Sequence, residues 1–473
     1  MSLRILHYAD VERATDEPRR LGRLVGLVES LRDEETLVVG AGDNLAPGVL
    51  SLVTEGRQAL DFYEAVQPDA ETFGNHDFDH GPAATRDVVR DSPMPWVCAN
   101  VCEGEAAADD ASPDDLFASE QGTVSWLVAE PGDHRVGIVG VTTPETPEMN
   151  PEAEPLAFRD PVEMAADAVA AVRERDVDHV VVLSHMGSGD DDLAEALDVD
   201  CILGGHAHTE RIETIEGTLV VRPGGTAGGL AEVVFDDRPT AYRYPLRDAP
   251  VHEGVVEALE ARRREAGLAD VVDTVEDPIP VTRTATKQGE SRVGNLVTDA
   301  YRWVADADVA VHSTGGLRSG DALAGEVTAA DLVGLCPFEN DLVRLEVTGE
   351  QLRRTVANLG LVQYDPADVP AHYFGHVSGL DIVWDDERRQ PRSIAVGGDP
   401  VGDDATYTLA TSNYYVESSH LFDAFAPEDV TDSLGPQYEA IVEYCRECGI
   451  EATLDGRIER PLLDGQTVVS RQD

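Results

Sequence analysis

Thr36-Leu37-Val38-Val39-Gly40-Ala41-Gly42-Asp43-Asn44 carries an apolar, strand-like run directly into a carboxylate and an amide. The same pattern recurs in Ile5-Leu6-His7-Tyr8-Ala9-Asp10-Val11-Glu12, in Phe73-Gly74-Asn75-His76-Asp77, in Val180-Val181-Val182-Leu183-Ser184-His185 and in Ile202-Leu203-Gly204-Gly205-His206-Ala207-His208. Open parallel sheets place ligands at the carboxyl ends of their strands. Each of these segments is therefore expected to be a strand whose end delivers a metal donor to a shared point. The expected product is a two-metal hydrolytic centre.

Outward from these segments, residues 1–245 alternate apolar runs with helical patterns such as 21–28 and 162–172, which predicts βα units and a mostly parallel sheet with helices on its faces. The stretch 103–115 is Glu-, Ala- and Asp-rich and reads as a solvated loop. Residues 246–277 are expected to be a linker containing an exposed bridging helix from Val255 to Ala266. A second alternating region, 278–473, predicts a helix over 292–305, strands over 308–312 and 342–347, and a helix over 350–359. The fold class is α/β, or α+β taken over both domains.

A chain of 473 residues is long enough for two such domains, each with its own core. Acidic residues outnumber basic ones 91 to 36, for a formal charge of −55, and Lys287 is the only lysine. Self-repulsion of that size is costly in dilute salt. It is tolerable where molar salt shortens the Debye length to roughly 3 Å. The composition thus points to a halophilic protein in a salt-loaded cytoplasm, and the charge opposes nucleic-acid binding. The N-terminus shows no leader pattern and no apolar stretch reaches membrane-spanning length. The spacing of Cys445 and Cys448 has no second pair to complete a zinc site, so unpaired thiols are expected.

The donor chemistry is specific as a set. Asp10 and Glu12 stand two apart, so an extended segment would point both the same way. Asp43 follows a glycine and can bridge two cations. Asn75 offers an amide oxygen; His185, His206 and His208 offer imidazoles. Mixed oxygen and nitrogen donors suit Mn, Fe, Co or Zn better than Mg or Ca, with two divalent ions expected, Mn²⁺ first and Zn²⁺ or Co²⁺ after it. Singly, an Asp after Gly is a common turn former and a lone histidine is usually structural.

These motifs in this order resemble the calcineurin-like metallophosphoesterases, and more narrowly the 5'-nucleotidase/UDP-sugar hydrolase family. The resemblance implies a four-layer β-sandwich flanked by helices, followed by an α/β substrate-binding domain. It implies one divalent ion on Asp10, residue 12, Asp43 and His208, and another on Asp43, Asn75, His185 and His206. His76 would assist phosphoryl transfer, with Asp79 orienting its imidazole. The family carries His where this chain has Glu12. Glu12 either ligates through oxygen, shifting preference toward Mn²⁺, or leaves a weakened centre.

The second half resembles the family's substrate domain in Glu290-Ser291-Arg292-Val293-Gly294-Asn295-Leu296, Gly315-Gly316-Leu317-Arg318, Pro337-Phe338-Glu339-Asn340, Val377-Ser378-Gly379-Leu380 and Ala410-Thr411-Ser412-Asn413-Tyr414-Tyr415. By that resemblance Gly315, Gly316 and Arg318 contact phosphate or ribose, Phe338 and Tyr414 clamp a base, and Lys287 aims a charge at phosphate. Ser313 stands where the family has Asn, and Ser418-Ser419-His420 where many members have Gly-Gly-Asp. The expected activity is hydrolysis of a phosphate ester, a 5'-nucleotide first, by a monomer or homodimer. A 2',3'-cyclic nucleotide phosphodiesterase or a nucleotide-sugar pyrophosphatase is the enzymatic alternative. A non-catalytic nucleotide-binding protein with a degraded metal site is the alternative of another class.

Overall fold

A computed structural model describes residues 2–104, 115–365, 367–369, 372–418 and 421–461. The chain divides into two compact units, Met1–Ala266 and Gly267–Asp473. Most of the 103–115 stretch lies outside the described residues, as do Ser419 and His420.

Two large sheets build the first unit, beside a two-stranded antiparallel pair of Val101–Glu103 and Leu156–Phe158. One runs in the order Pro239–Pro245, Gly229–Phe235, Leu3–Tyr8, Thr36–Gly40; the other runs Trp126–Ala129, Val136–Thr142, His179–His185, Cys201–Gly204, Thr218–Arg222, Arg211–Ile215. The mostly parallel sheet expected from the alternation is thus corrected to two mixed ones, the β-sandwich that the resemblance implied. In the smaller sheet only Leu3–Tyr8 and Thr36–Gly40 pair in parallel. In the larger, the inner strands are parallel and both edge pairs antiparallel.

Ile5, Leu37, Val39, Ile138, Val181, Leu183, Leu203 and Val233 fill the space between the sheets. Val180, Val182 and Ile202 face the other way, onto Ala165, Val169 and Val172 of the helix Pro161–Arg173 and Leu193 of the helix Asp190–Ala196. Period-two alternation explains why 180–183 is apolar throughout: both of its faces are buried. Helices Pro18–Leu31, Ala59–Val66 and Glu253–Glu265 pack together over the smaller sheet, completing four layers.

The helix Glu253–Glu265 differs from its expected exposed form. It buries Val255, Val256 and Leu259, and Arg262 grips Asp61 of the first unit at 2.6 and 2.9 Å.

In the second unit a five-stranded sheet runs His376–Ser378, Val309–His312, Thr406–Ser412, Asp341–Thr348, Val430–Pro436. The helix Arg292–Ala305 starts where Ser291 Oγ accepts the Gly294 N–H at 3.0 Å. The helix Gly349–Leu359 starts at a capping box between Thr348 and Gln351. Leu352, Val356 and Leu359 join Val309, Val343, Leu345 and Trp384 in one core. All six cysteines are free. Among the described residues no helix is long and apolar enough to cross a membrane.

Candidate active site

Regular strands deliver most of the candidate donors. Leu3–Tyr8 ends just before Asp10, Thr36–Gly40 before Asp43, Cys201–Gly204 before His206, and His179–His185 ends on His185 itself. Phe73 departs from expectation: its segment makes only isolated bridges, Val39 to Ala70 and Glu71 to Trp96, and then enters a 3₁₀ turn over Asn75–Phe78. Two imidazoles join the sheets at this end. His185 Nδ1 donates to the Ala41 carbonyl at 2.6 Å, and His7 Nε2 lies 3.0 Å from the Gly204 carbonyl.

Asp10 and Glu12 do not project from an extended strand. The strand has ended, both residues adopt left-handed backbone (φ 52° and 47°), and Glu12 opens a 3₁₀ turn. Asp43 and His206 are left-handed as well, at 56° and 68°. Such conformations cost energy in non-glycine residues and concentrate at functional sites. Here they turn four side chains out of the sheet direction onto one spot.

The donors converge. Atoms of Asp43, His185 and His206 lie within 4.8 Å of one another, as do those of Asp10, Glu12 and His208, and those of Glu12, Asp43 and His76. Asp43 thus belongs to two groups. His208 Nε2 is 2.9 Å from Glu12 Oε1 and 3.8 Å from Asp10 Oδ1, and His206 Nδ1 is 2.8 Å from Asn75 Oδ1. Donors sharing one ion at bonds of ~2.1 Å stand about 3 Å apart. The residues therefore fit the two ions that the donor chemistry calls for.

Electrostatics agree. Because His185 Nδ1 is engaged, Nε2 is the nitrogen left to face a cation; it is buried and sits 3.0 Å from Asp43 Oδ2. Burial pushes the Asp10 carboxyl up to about 7 and raises Glu12. Burial also opposes the charge on Asp43, but His185 beside it outweighs that and holds Asp43 below the usual carboxylate range. Burial would lower His185, yet Asp43 and Asp10 push it up to about 10. His206 is lowered by burial and by the neighbouring His185 charge. Buried carboxylates this close need protons or cations to offset them.

Beside the cluster, His76 Nδ1 lies 2.9 and 3.1 Å from the two Asp79 carboxylate oxygens. Burial acts to lower His76. The Asp79 hydrogen bond and the charges of Asp43, Asp79 and Glu12 prevail, and push it up to about 9.

Asp77 is a supporting residue that the sequence reading passed over. Its carboxylate accepts the backbone N–H groups of Asp43, Asn44, Leu45 and Gly74 at 2.7–3.0 Å, fixing the Gly-Asp-Asn turn against the Asn75 turn. The signal was available, since Asp77 closes the Gly-Asn-His-Asp motif. Gly74 is required for that approach: a Cβ there would stand 2.2 Å from Asp43 Oδ1.

The second unit contains a cavity of about 590 Å³ lined by Ser313, Gly315, Gly316, Arg318, Phe338 and Tyr414 among others. The Arg318 guanidinium lies over the Phe338 ring, 4.6 Å from its centroid. Ser313 Oγ is 2.8 Å from the Tyr415 hydroxyl. Lys287 does not line the cavity; its Nζ lies 5.8 Å from the ring centroid of Tyr373, which does. Tyr364 and Tyr373 add aromatic wall that no motif announced.

Residues 3–210 match the family described as calcineurin-like phosphoesterase, and residues 270–427 the 5'-nucleotidase C-terminal domain. The trifunctional nucleotide phosphoesterase protein YfkN of Bacillus subtilis is 24% identical, covering 98% of this chain and 35% of its own length. The endonuclease YhcR of Bacillus subtilis is 25% identical, with 90% and 37% covered. The chain thus spans about a third of the length of these two curated relatives. The crystal structure of a 5'-nucleotidase precursor from Thermus thermophilus superposes with a TM-score of 0.65 at 25% identity, over 97% of this chain and 99% of that one.

Proposed function

We propose, from the joining of a calcineurin-like phosphoesterase domain to a 5'-nucleotidase C-terminal domain, that this chain is a metal-dependent hydrolase of phosphate monoesters, a 5'-nucleotide being the first candidate. The observation that carries the proposal is the convergence of Asp10, Glu12, Asp43, Asn75, His185, His206 and His208 beside the His76–Asp79 pair. Asp10, Glu12 and His208 would hold one divalent ion, Asn75, His185 and His206 the other, with Asp43 shared. Mn²⁺ is favoured because Glu12 adds an oxygen donor, and Zn²⁺ or Co²⁺ also suit the set. When bound, the ions supply an activated water and offset the charge of the phosphate oxygens.

The chain's own residues do the rest. Asp79 engages His76 Nδ1 and so leaves Nε2 as the donor toward the leaving oxygen. In the second unit Arg318 offers a planar fork to phosphate or ribose. Phe338 and Tyr414 offer faces for base stacking, worth about 1–3 kcal/mol per base. Ser313, Gly315 and Gly316 let backbone approach the ligand, and Lys287, outside the cavity behind Tyr373, would add a point charge only at longer range. Catalysis is assigned to residues 1–245 and substrate choice to 278–473. The net charge of −55 disfavours polyanionic nucleic acid as substrate and suits a salt-loaded cytoplasm.

A second reading has support in the Glu12 and Ser313 departures and in the name of the trifunctional nucleotide phosphoesterase relative: a 2',3'-cyclic nucleotide phosphodiesterase or a nucleotide-sugar pyrophosphatase. A panel of nucleoside monophosphates, cyclic nucleotides and nucleotide sugars, run with Mn²⁺, Zn²⁺ and Co²⁺ in multimolar KCl, separates the readings. Fastest turnover is expected for 5'-monophosphates with Mn²⁺. Equal turnover by chelator-stripped protein would overturn the proposal.

A further inference from the structure

Asn150 lies outside every motif, at the end of the short helix Thr146–Met149, and is 7% exposed. Its Oδ1 accepts the Glu152 N–H at 3.1 Å, which fixes the orientation of the amide. Nδ2 then donates to the Asn75 carbonyl at 2.9 Å and to Asp79 Oδ1 at 3.0 Å. Both of its protons are used, and each reaches a different part of the centre.

The first proton acts on the peptide unit between Asn75 and His76. That unit's N–H donates to Asp43 Oδ1 at 2.7 Å while its carbonyl accepts from Asn150, so the plane is clamped at both ends. Clamping the plane fixes where Asn75 Oδ1 points, and that oxygen meets His206. The second proton acts on Asp79. A carboxylate held by one partner can swing about its bond; Asn150 leaves Asp79 one orientation in which to receive His76.

We infer that Asn150 is a positioning residue of the phosphoesterase centre, setting Asn75 through its peptide and His76 through Asp79. The inference rests on the function proposed above. Groups of this kind, one step removed from a metal donor, typically change metal affinity or activity by about 10–100-fold when lost.

The test uses the full chain with 4-nitrophenyl phosphate as probe at saturating Mn²⁺. Asn150→Asp keeps the size and the Oδ1 acceptor but sets oxygen against two oxygens; Asn150→Ala removes the amide. Each is expected to lower kcat about 10–100-fold while KM stays within about twofold. In a His76→Ala background each should cost under about threefold, because no imidazole remains to be oriented. A general loss of folded protein would instead scale both backgrounds alike, and that outcome, or an unchanged kcat, overturns the His76 half of the inference. Mn²⁺ titration without substrate, read from the free-ion EPR signal, should show about tenfold weaker binding; unchanged binding overturns the Asn75 half. Wild-type protein that hydrolyses no ester with any metal refutes the proposed function instead.

Discussion

Behind the Gly42 turn, the buried Glu71 carboxyl receives the Tyr8 hydroxyl at 2.8 Å and the Gly42 N–H at 3.2 Å. Burial, reinforced by the nearby Asp77 charge, pushes it up to about 8 from its ordinary 4.5. The folded state therefore holds this proton more tightly than the unfolded chain. The stability it supports is complete below pH 4.5 and declines as pH rises toward 8, by up to about 1.4 kcal/mol per pH unit. Glu71→Gln keeps an acceptor for Gly42 and an amide for Tyr8, so its unfolding free energy should lose that decline. Parallel pH profiles for the two proteins, measured by urea unfolding, would contradict this. Residues such as Glu71 and Asn150 were illegible in the sequence for one reason. Their partners are largely backbone groups, and only the finished fold brings those within reach. Asp43, Asn75 and the paired histidines around Ala207 were legible because metal chemistry demands particular side chains in short runs.

At the scale of elements, apolar spacing located the helix 292–305 and the strands 36–40 and 179–185, since burial alone dictates those patterns. It failed at Phe73 and at Asp10-Val11-Glu12, where tight turns replace strand and the left-handed backbone leaves no periodic trace. Close approach of the two sheets is what the turns require. A Cβ on Gly205 would stand 2.6 Å from the Ala41 carbonyl and 2.8 Å from His185 Nδ1. Gly205→Ala should cost about 1–3 kcal/mol by overpacking and weaken Mn²⁺ binding about tenfold or more by displacing His185. Gly320→Ala, where nothing lies within 4 Å, is the matched control. Equal thermal midpoints and Mn²⁺ affinities for the two variants would refute the close-packing argument.

Over the whole molecule, a formal charge of −55 spread on 473 residues makes solution conditions part of the structure. Raising KCl from about 0.1 M toward about 1 M shortens the Debye length from about 10 to 3 Å. The thermal midpoint should rise over that range and the unfolding transition sharpen. A flat or falling midpoint would mean that surface repulsion does not govern stability here. The sequence could announce that repulsion because charge is additive along a chain. Apolar alternation could not announce the two mixed sheets, joined by His7 and His185, which only the family resemblance implied.

The most direct measurement is the metal stoichiometry of the full chain after Mn²⁺ loading and gel filtration in high salt, alongside Asp43→Asn. Two ions per wild-type chain are expected, with at least one lost in the variant because Asp43 serves both positions. A wild-type chain that retains no ion, or a variant that retains both, would contradict the dinuclear centre on which the account stands.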